Sequence, residues 1–136
     1  MQTRYLLPVV LLLFALAGCV DGDLIVDSGE DDIPVIGNAP DAFGFTLVAT
    51  EFSLDEEYVL DFSKDGLSVG LTVASYRGGT GRFELVDAAG EVFFSRDLGR
   101  NIAEGTAEVS GRTPAKAVVR LSRYSGVVTI GVAPRQ

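Results

Sequence analysis

Hydrophobic and polar residues alternate along most of the chain beyond residue 41. In residues 67–73, for example, four apolar side chains alternate with Ser68, Gly70 and Thr72. The same period of two recurs in residues 43–49, 58–62, 83–85, 92–94, 117–121 and 128–132. This period is the pattern of a β-strand that packs one face on a core and exposes the other. We therefore expect residues 42–136 to fold as an all-β domain.

Turn residues separate these predicted strands. Gly closes the short segments 64–66, 87–90 and 123–126, where a hairpin needs a positive φ. A longer, flexible hairpin is predicted at residues 76–81, and residues 99–115 are predicted to be a crossover between sheets. About seven or eight short strands joined in this way predict a small antiparallel β-sandwich, of jelly-roll or immunoglobulin-like type. A small barrel is the alternative.

The alternation also assigns residues to the two faces of the strands. Five large apolar side chains are predicted to lie in the core: Val69, Leu71, Phe83, Val119 and Ile130. Four polar positions between them are predicted to be exposed: Ser68, Thr72, Arg120 and Thr129.

The chain begins with a short apolar segment that follows one positive charge, Arg4. No charged residue occurs from Tyr5 to Leu16, and this stretch is too short to cross a bilayer core of about 30 Å. The pattern is typical of a signal peptide. Its end, Leu16-Ala17-Gly18-Cys19, resembles the lipobox of bacterial lipoproteins.

The lipobox resemblance implies that residues 1–18 are removed by cleavage between Gly18 and Cys19. It also implies that the Cys19 thiol carries a diacylglyceryl group, with fatty acids such as palmitate, and that the new α-amine is acylated. Two or three acyl chains hold a protein stably on a membrane, whereas one is marginal. The mature protein is therefore predicted to be anchored in the cell envelope.

In lipoproteins of bacteria with two membranes, Asp directly after the Cys retains the protein at the inner membrane. Here Val20 follows Cys19, which favours the outer membrane, on its periplasmic or surface face.

Residues 19–41 carry seven acidic residues and no basic one. They show no sustained hydrophobic period, and their like charges repel one another. We expect a disordered acidic tether that spaces the domain from the lipid. One alternative is a Ca²⁺ site in the acidic run. Another is that residues 33–36 dock on the domain as an edge strand.

The run Asp61, Ser63, Asp65 and Gly66 has the spacing that opens an EF-hand calcium loop. The position of the closing bidentate glutamate holds Thr72, and the segment lies between two predicted strands. A solvated turn is therefore expected here, and no metal site is predicted.

Residues 81–87 and Gly90 form the pattern G-x-F-x-L-x-D-x-x-G. This pattern resembles a hairpin of bacterial pre-peptidase C-terminal domains, and residues 123–132 look like the last hairpin of that family. The resemblance implies a small jelly-roll-like sandwich that serves a secreted protein as an accessory or binding module. It assigns no functional residue.

Composition excludes several classes of chemistry. The chain has no His and one Cys, which excludes Ser–His–Asp and Cys–His catalysis, a His-bound metal and an internal disulfide. The net charge of −8 argues against a nucleic-acid partner. Glycoside hydrolysis needs only two carboxylates and stays open as a less favoured alternative, although no motif marks such a pair. We predict no enzyme activity, no cofactor and no metal.

Two pairs of residues form a candidate partner surface: Tyr76 with Arg77, and Arg123 with Tyr124. Each pair precedes a Gly-containing predicted turn, and strand parity places both rings away from the core. Tyr and Arg are enriched at binding hot spots. The chain is thus predicted to be a lipid-anchored module with a binding or structural role toward another envelope component. The alternative ligand is a carbohydrate or another envelope molecule.

Overall fold

The computed structural model describes residues 32–136, without the side chain of Glu104. The predicted signal peptide, Cys19 and most of the predicted tether lie outside these residues. Within the described range, no helix has the length and apolarity needed to cross a bilayer. The described chain forms six antiparallel strands: β1 (Val35–Ala39), β2 (Ala42–Val59), β3 (Gly66–Val86), β4 (Val92–Asp97), β5 (Ile102–Ser110) and β6 (Lys116–Pro134).

The strands pair in the order β1-β2-β6-β3-β4, and β5 also pairs with β3. The long strands β2, β3 and β6 all change register at the same level, between residues 49–54, 74–80 and 121–126. The sheet bends there into two parts. We call the part with β1, β5 and residues 42–49, 66–74 and 126–134 the five-stranded leaf. The four-stranded leaf holds β4 and residues 52–59, 78–86 and 116–124.

A non-glycine residue with positive φ marks the bend in each long strand. These residues are Glu51 at 48°, Ser75 at 54° and Arg123 at 46°. Such bulges break the ladder and leave backbone N–H groups that need new acceptors. Side-chain oxygens from neighbouring segments supply them. Ser125 Oγ accepts from Glu51 N at 2.9 Å, and Ser53 Oγ accepts from Arg123 N at 3.0 Å.

In β3, too, a side-chain oxygen accepts a hydrogen bond from a backbone N–H group at the bend. Asn101 Oδ1 accepts a hydrogen bond from Tyr76 N, next to Ser75, at 2.9 Å. Close to the same bend, Gly79 has φ of 88°, and a Cβ there would lie 2.2 Å from Arg123 O. Because no side chain fits at that distance, the close crossing of β3 and β6 requires glycine at this position.

The inward faces of both leaves pack into one hydrophobic core. Tyr58 of the four-stranded leaf lies against Phe43 and Phe45 of the five-stranded leaf, with ring centroids 5.5 and 6.3 Å apart. The five predicted core residues are all buried, with at most 2% of their surface exposed. The predicted all-β antiparallel fold is confirmed.

Several predicted connections are wrong in detail. Residues 76–81 and 123–126, predicted as a hairpin and a turn, lie inside β3 and β6 at the bend. Residues 99–115, predicted as a crossover, contain β5. Each long strand therefore joins two of the short strands that alternation predicts. The predicted turn at residues 87–90 is confirmed, with Gly90 at φ 86° and Gly90 N donating to Asp87 O at 3.0 Å.

The sheet also includes residues that the sequence places in the tether. β1 pairs with residues 42–46 of β2 as an edge strand, and of residues 33–36, which the edge-strand alternative names, it includes Val35 and Ile36. Asp32 N donates to Val48 O, and Thr50 N donates to the Asp32 carboxylate at 2.8 Å. The described sheet thus includes residues 35–39, which lie before the predicted boundary at residue 42.

Candidate functional site

The predicted tyrosine and arginine surface is only partly present. The rings of Tyr76 and Tyr124 do lie together, with centroids 5.6 Å apart, as expected. The expected exposure is wrong for Tyr124, which is fully buried and donates its hydroxyl to Leu98 O at 2.6 Å. Tyr76 is half-buried and donates its hydroxyl to Gly79 O at 2.6 Å. The register shifts at the bend invert the strand parity, and this inversion turns Tyr124 inward.

The two arginines of the predicted surface remain exposed. They line a shallow depression of about 400 Å³ at the bend, together with Glu51. Arg123 pairs with Glu51 at 3.2 Å, and both side chains are more than two-thirds exposed. Exposed ion pairs of this kind contribute little to stability. Without the Tyr124 ring, this surface lacks the aromatic anchor on which its prediction depends.

The segment 61–66, which has the spacing of a calcium loop, is hydrogen-bonded to the β1–β2 turn. Asp41 accepts hydrogen bonds from Ser63 N at 2.8 Å and from Ser63 Oγ at 3.1 Å. Among the described side chains, no three or more of the types His, Cys, Asp and Glu form a group that could hold a metal ion. Asp41 and Ser63 thus have a structural role in joining two connections.

At the edge of the outer face of the five-stranded leaf, β5 carries Glu108, which pairs with Arg135, but the outward positions of β1, β2, β6 and β3 form a face with no charged side chain. We call it the uncharged face. Its residues, alternating with the core positions, are Val35, Gly37 and Ala39 of β1, Gly44, Thr46 and Val48 of β2, Val127, Thr129 and Gly131 of β6, and Ser68, Gly70, Thr72 and Ala74 of β3.

Residues of one type lie side by side on the uncharged face. Thr46, Thr129 and Thr72 form one row across β2, β6 and β3, because the register pairs each with the next. In a neighbouring row, Val48 pairs with Val127. Val35 and Val48 are 67% and 42% exposed, so this face presents two large apolar side chains to solvent.

Four glycines form another row: Gly37, Gly44, Gly131 and Gly70. A Cβ at Gly37, Gly70 or Gly131 would meet no atom of the described residues within 4 Å, and none of the four has a positive φ. Neither crowding nor backbone conformation within this domain therefore requires glycine there. Glycine inside a strand weakens it, and it often marks a place where another chain or a ligand approaches closely.

The outer face of the four-stranded leaf is charged by contrast. Asp55, Arg120, Arg82 and Asp97 lie in register on β2, β6, β3 and β4. They line a groove of about 610 Å³, which we call the charged groove. Arg120 bonds Glu84 at 3.1 Å and Asp55 at 3.4 Å.

Sequence reasoning missed both outer faces. The outward positions of single strands were readable, since Ser68, Gly70 and Thr72 alternate with core residues. The missing information was the register, which decides that the glycines of four distant segments meet in one row.

Comparison with known proteins adds little to this description. No family model matches the chain, and no curated protein matches it. Among solved structures, the chain is similar to the SPBc2 prophage-derived protein YomS, with 21% identity over 74% of this chain and 99% of that chain and a TM-score of 0.44. It is also similar to a structure of accessory secretory protein 1, 2 and 3 from Streptococcus pneumoniae, with 11% identity, coverage of 88% and 93%, and a TM-score of 0.39. The function is therefore inferred from the chain's own surfaces.

Proposed function

We propose that this chain is a lipid-anchored module of the bacterial cell envelope that binds a partner protein through its uncharged face. The observation that carries this proposal is the absence of charge from the outward residues of β1, β2, β6 and β3. Charged residues are depleted at the centres of protein interfaces, while ordinary exposed sheet faces carry them freely. The proposed role is binding, with no catalytic step assigned to the chain.

The anchor in this proposal is the acylated Cys19 of the lipobox-like sequence. With Val20 after the Cys, the favoured location is the outer membrane of a bacterium with two membranes. The acidic residues between Cys19 and β1 would keep the domain away from an anionic lipid surface by charge repulsion. The uncharged face would then remain accessible to a protein in the same compartment.

The chemistry of the uncharged face indicates a flat, apolar partner surface. Its exposed Val35 and Val48 supply apolar area, and its threonines supply hydroxyls that need no ion as partner. The glycine row allows a partner's backbone or small side chains to approach within close van der Waals distance. A strongly charged partner surface would lose its hydration here without gaining a counter-charge.

The test is site-specific photocrosslinking of the lipidated chain in its own cells. A photoreactive amino acid at Thr129, in the middle of the uncharged face, is expected to give an adduct with one other protein. Gly131→Arg should abolish that adduct, because it places an unpaired charge inside the interface. The control Ala88→Arg makes a comparable change in the exposed β3–β4 turn and should leave the adduct unchanged.

Three outcomes would contradict the proposal. One is the absence of any adduct from Thr129. Another is an adduct that survives Gly131→Arg in a folded protein. The third is an adduct of twice the chain's mass, which would identify a second copy of this chain as the occupant. Circular dichroism of each variant separates loss of binding from loss of fold.

A further inference from the structure

The charged groove lies on the other leaf from the uncharged face and has no part in the proposed function. Its volume of about 610 Å³ falls within the range of about 300–1,000 Å³ that is usual for small-molecule sites. Hydroxyls of Thr80 and Ser122, which pair across β3 and β6, also line it. The groove therefore combines guanidinium, carboxylate and hydroxyl groups in one open depression.

The charges of the groove largely cancel one another. Arg120 lies between Asp55 at 3.4 Å and Glu84 at 3.1 Å, so its charge is compensated within the groove. Arg82 lies opposite Arg120 on one side and opposite Asp97 on the other. With carboxylates and guanidiniums interleaved, neither a free anion nor a free cation gains a strong net attraction.

Arg82 and Asp97 keep hydrogen-bonding capacity for a ligand. Arg82 donates through one nitrogen to Ser95 Oγ at 3.0 Å, and no ion pair within the described residues includes it. A guanidinium has five N–H donors, so several remain. Asp97 accepts from Gly99 N through Oδ1 at 2.8 Å, which leaves its second oxygen. Both side chains are exposed on adjacent strands.

We propose that the charged groove binds a neutral, hydroxyl-rich oligosaccharide. Each sugar hydroxyl both donates and accepts, so neighbouring hydroxyls can satisfy the Arg82 donors and the Asp97 acceptor together. Hydrogen bonds to charged groups are the strong ones, and a guanidinium or carboxylate binds two adjacent groups at once. None of the described residues that line the groove is aromatic, so hydrogen bonds rather than ring stacking carry the recognition.

The test uses the mature chain with Cys19→Ser, which keeps it in solution, and amide chemical shifts as the readout. The probes are cellohexaose, chitohexaose and maltohexaose, which are neutral, and hexagalacturonate, which is anionic. At least one neutral probe is expected to shift amides of residues 80–82 and 120–122 in a saturable manner. The amides of the uncharged face should stay unchanged.

Two variants assign the binding to the groove. Arg82→Ala should weaken binding of the neutral probe at least about tenfold, since it removes a charged donor. Asp97→Asn should weaken it too, while its remaining side-chain oxygen still accepts from Gly99 N. Arg77→Ala removes an exposed arginine at the bend and should leave the affinity unchanged.

The proposal is overturned if none of the three neutral probes shifts the groove amides. Shifts from hexagalacturonate alone, lost on adding salt, would identify an anion site and contradict it as well. Equal weakening by Arg82→Ala and Arg77→Ala would show that the effect is not local. Thermal unfolding of each variant excludes loss of fold as the cause, and Asp97→Asn keeps the test decisive if Arg82→Ala unfolds.

Discussion

Tyr124 is the largest of the fully buried side chains, and its hydroxyl lies inside the core at the bend. The hydroxyl donates to Leu98 O at 2.6 Å, which satisfies its donor in a place that water does not reach. Burial, with smaller effects from Tyr76 and Asp97, raises the pKa of Tyr124 to about 12. Ionisation of this phenol is thus opposed by the fold.

The raised pKa of Tyr124 predicts a loss of stability at high pH. The unfolded chain has a tyrosine pKa near 10, so it releases the proton first as the pH rises. The protonated phenol of Tyr124 contributes fully to the free energy of unfolding below pH ~10. This contribution, about 2–3 kcal/mol, is lost between pH ~10 and ~12. Urea unfolding of the parent chain and of Tyr124→Phe between pH 8 and 12 measures it.

Tyr124→Phe should be less stable at pH 8, because Leu98 O loses its donor, by about 1–3 kcal/mol. Its stability should then decline less with pH than that of the parent. Tyr58, whose pKa is also raised, chiefly by burial and also by Glu56, contributes the same alkaline loss to both chains. Parallel stability curves for the two chains would show that Tyr124 is not responsible.

The glycine row predicts a substitution that stabilises the domain. Gly131→Ala adds a Cβ that meets no atom of the described part of the chain within 4 Å and needs no positive φ, so the free energy of unfolding should rise by about 0.5–1 kcal/mol. Gly79→Ala is the matched contrast. Its positive φ and the 2.2 Å approach to Arg123 O should make it destabilising by about 3 kcal/mol or more. Unfolding midpoints in urea provide the comparison, and a loss of stability in Gly131→Ala would contradict this description of the row.

At the scale of elements, alternation predicts strand segments well because it is a local property of each segment. Val69 and Ile130 are buried as expected, and neither needs information from the rest of the chain. The bends are different. Gly78, Gly79 and Gly126 are of a residue type that is typical of turns. Only the pairing with a neighbouring strand shows that β3 and β6 continue through these positions.

The inward orientation of Tyr124 also results from the bend, where the parity of the inward residues of β6 changes. In β6 the inward residues are odd-numbered up to Leu121 and even-numbered from Tyr124 to Val132. The sequence shows both phases but not the residue at which one gives way to the other. The two tyrosine rings therefore lie together as expected, but inside strands at the bend rather than beside turns, and the Tyr124 ring faces the core.

Because β1 is part of the sheet, we expect the stability of the domain to depend on residues before the boundary predicted at residue 42. Ile36 packs against the core, and Asn38 Nδ2 donates to Val59 O at 2.8 Å. A chain that begins at residue 42 should therefore be less stable than one that begins at residue 32, by at least about 2 kcal/mol. Equilibrium unfolding followed by far-UV circular dichroism measures this difference. A chain that begins at residue 20 serves as control and should match the one from residue 32. Equal midpoints for the chains from 32 and 42 would show that β1 adds no stability.

At the scale of the whole molecule, one small domain carries two outer faces of opposite character. The uncharged face suits a protein surface, and the charged groove suits a polar ligand. Because the two faces lie on different leaves, the two proposals depend on different residues. Composition gave no indication of this division, since the charges of both leaves are averaged in the net charge of −8.

The proposed anchor predicts the behaviour of the full chain in cells. Cys19→Ser should abolish incorporation of a clickable fatty acid, because the thiol that forms the thioether is lost. It should also move the protein from the membrane fraction to the soluble fraction. Gel fluorescence after labelling is the measurement, and Cys19→Ser should leave the unfolding midpoint unchanged. Undiminished labelling of the variant would disprove the anchor.

The continuity of β2, β3 and β6 through both leaves has a consequence for cooperativity. Neither leaf can open without breaking strands that also belong to the other, so the domain should behave as a single foldon. Amides of Val69 in one leaf and Phe83 in the other should then exchange their hydrogens only through global unfolding, with the same free energy. Ligand bound on either outer face would slow exchange in both leaves alike, because it lowers the population of the one unfolded state that they share.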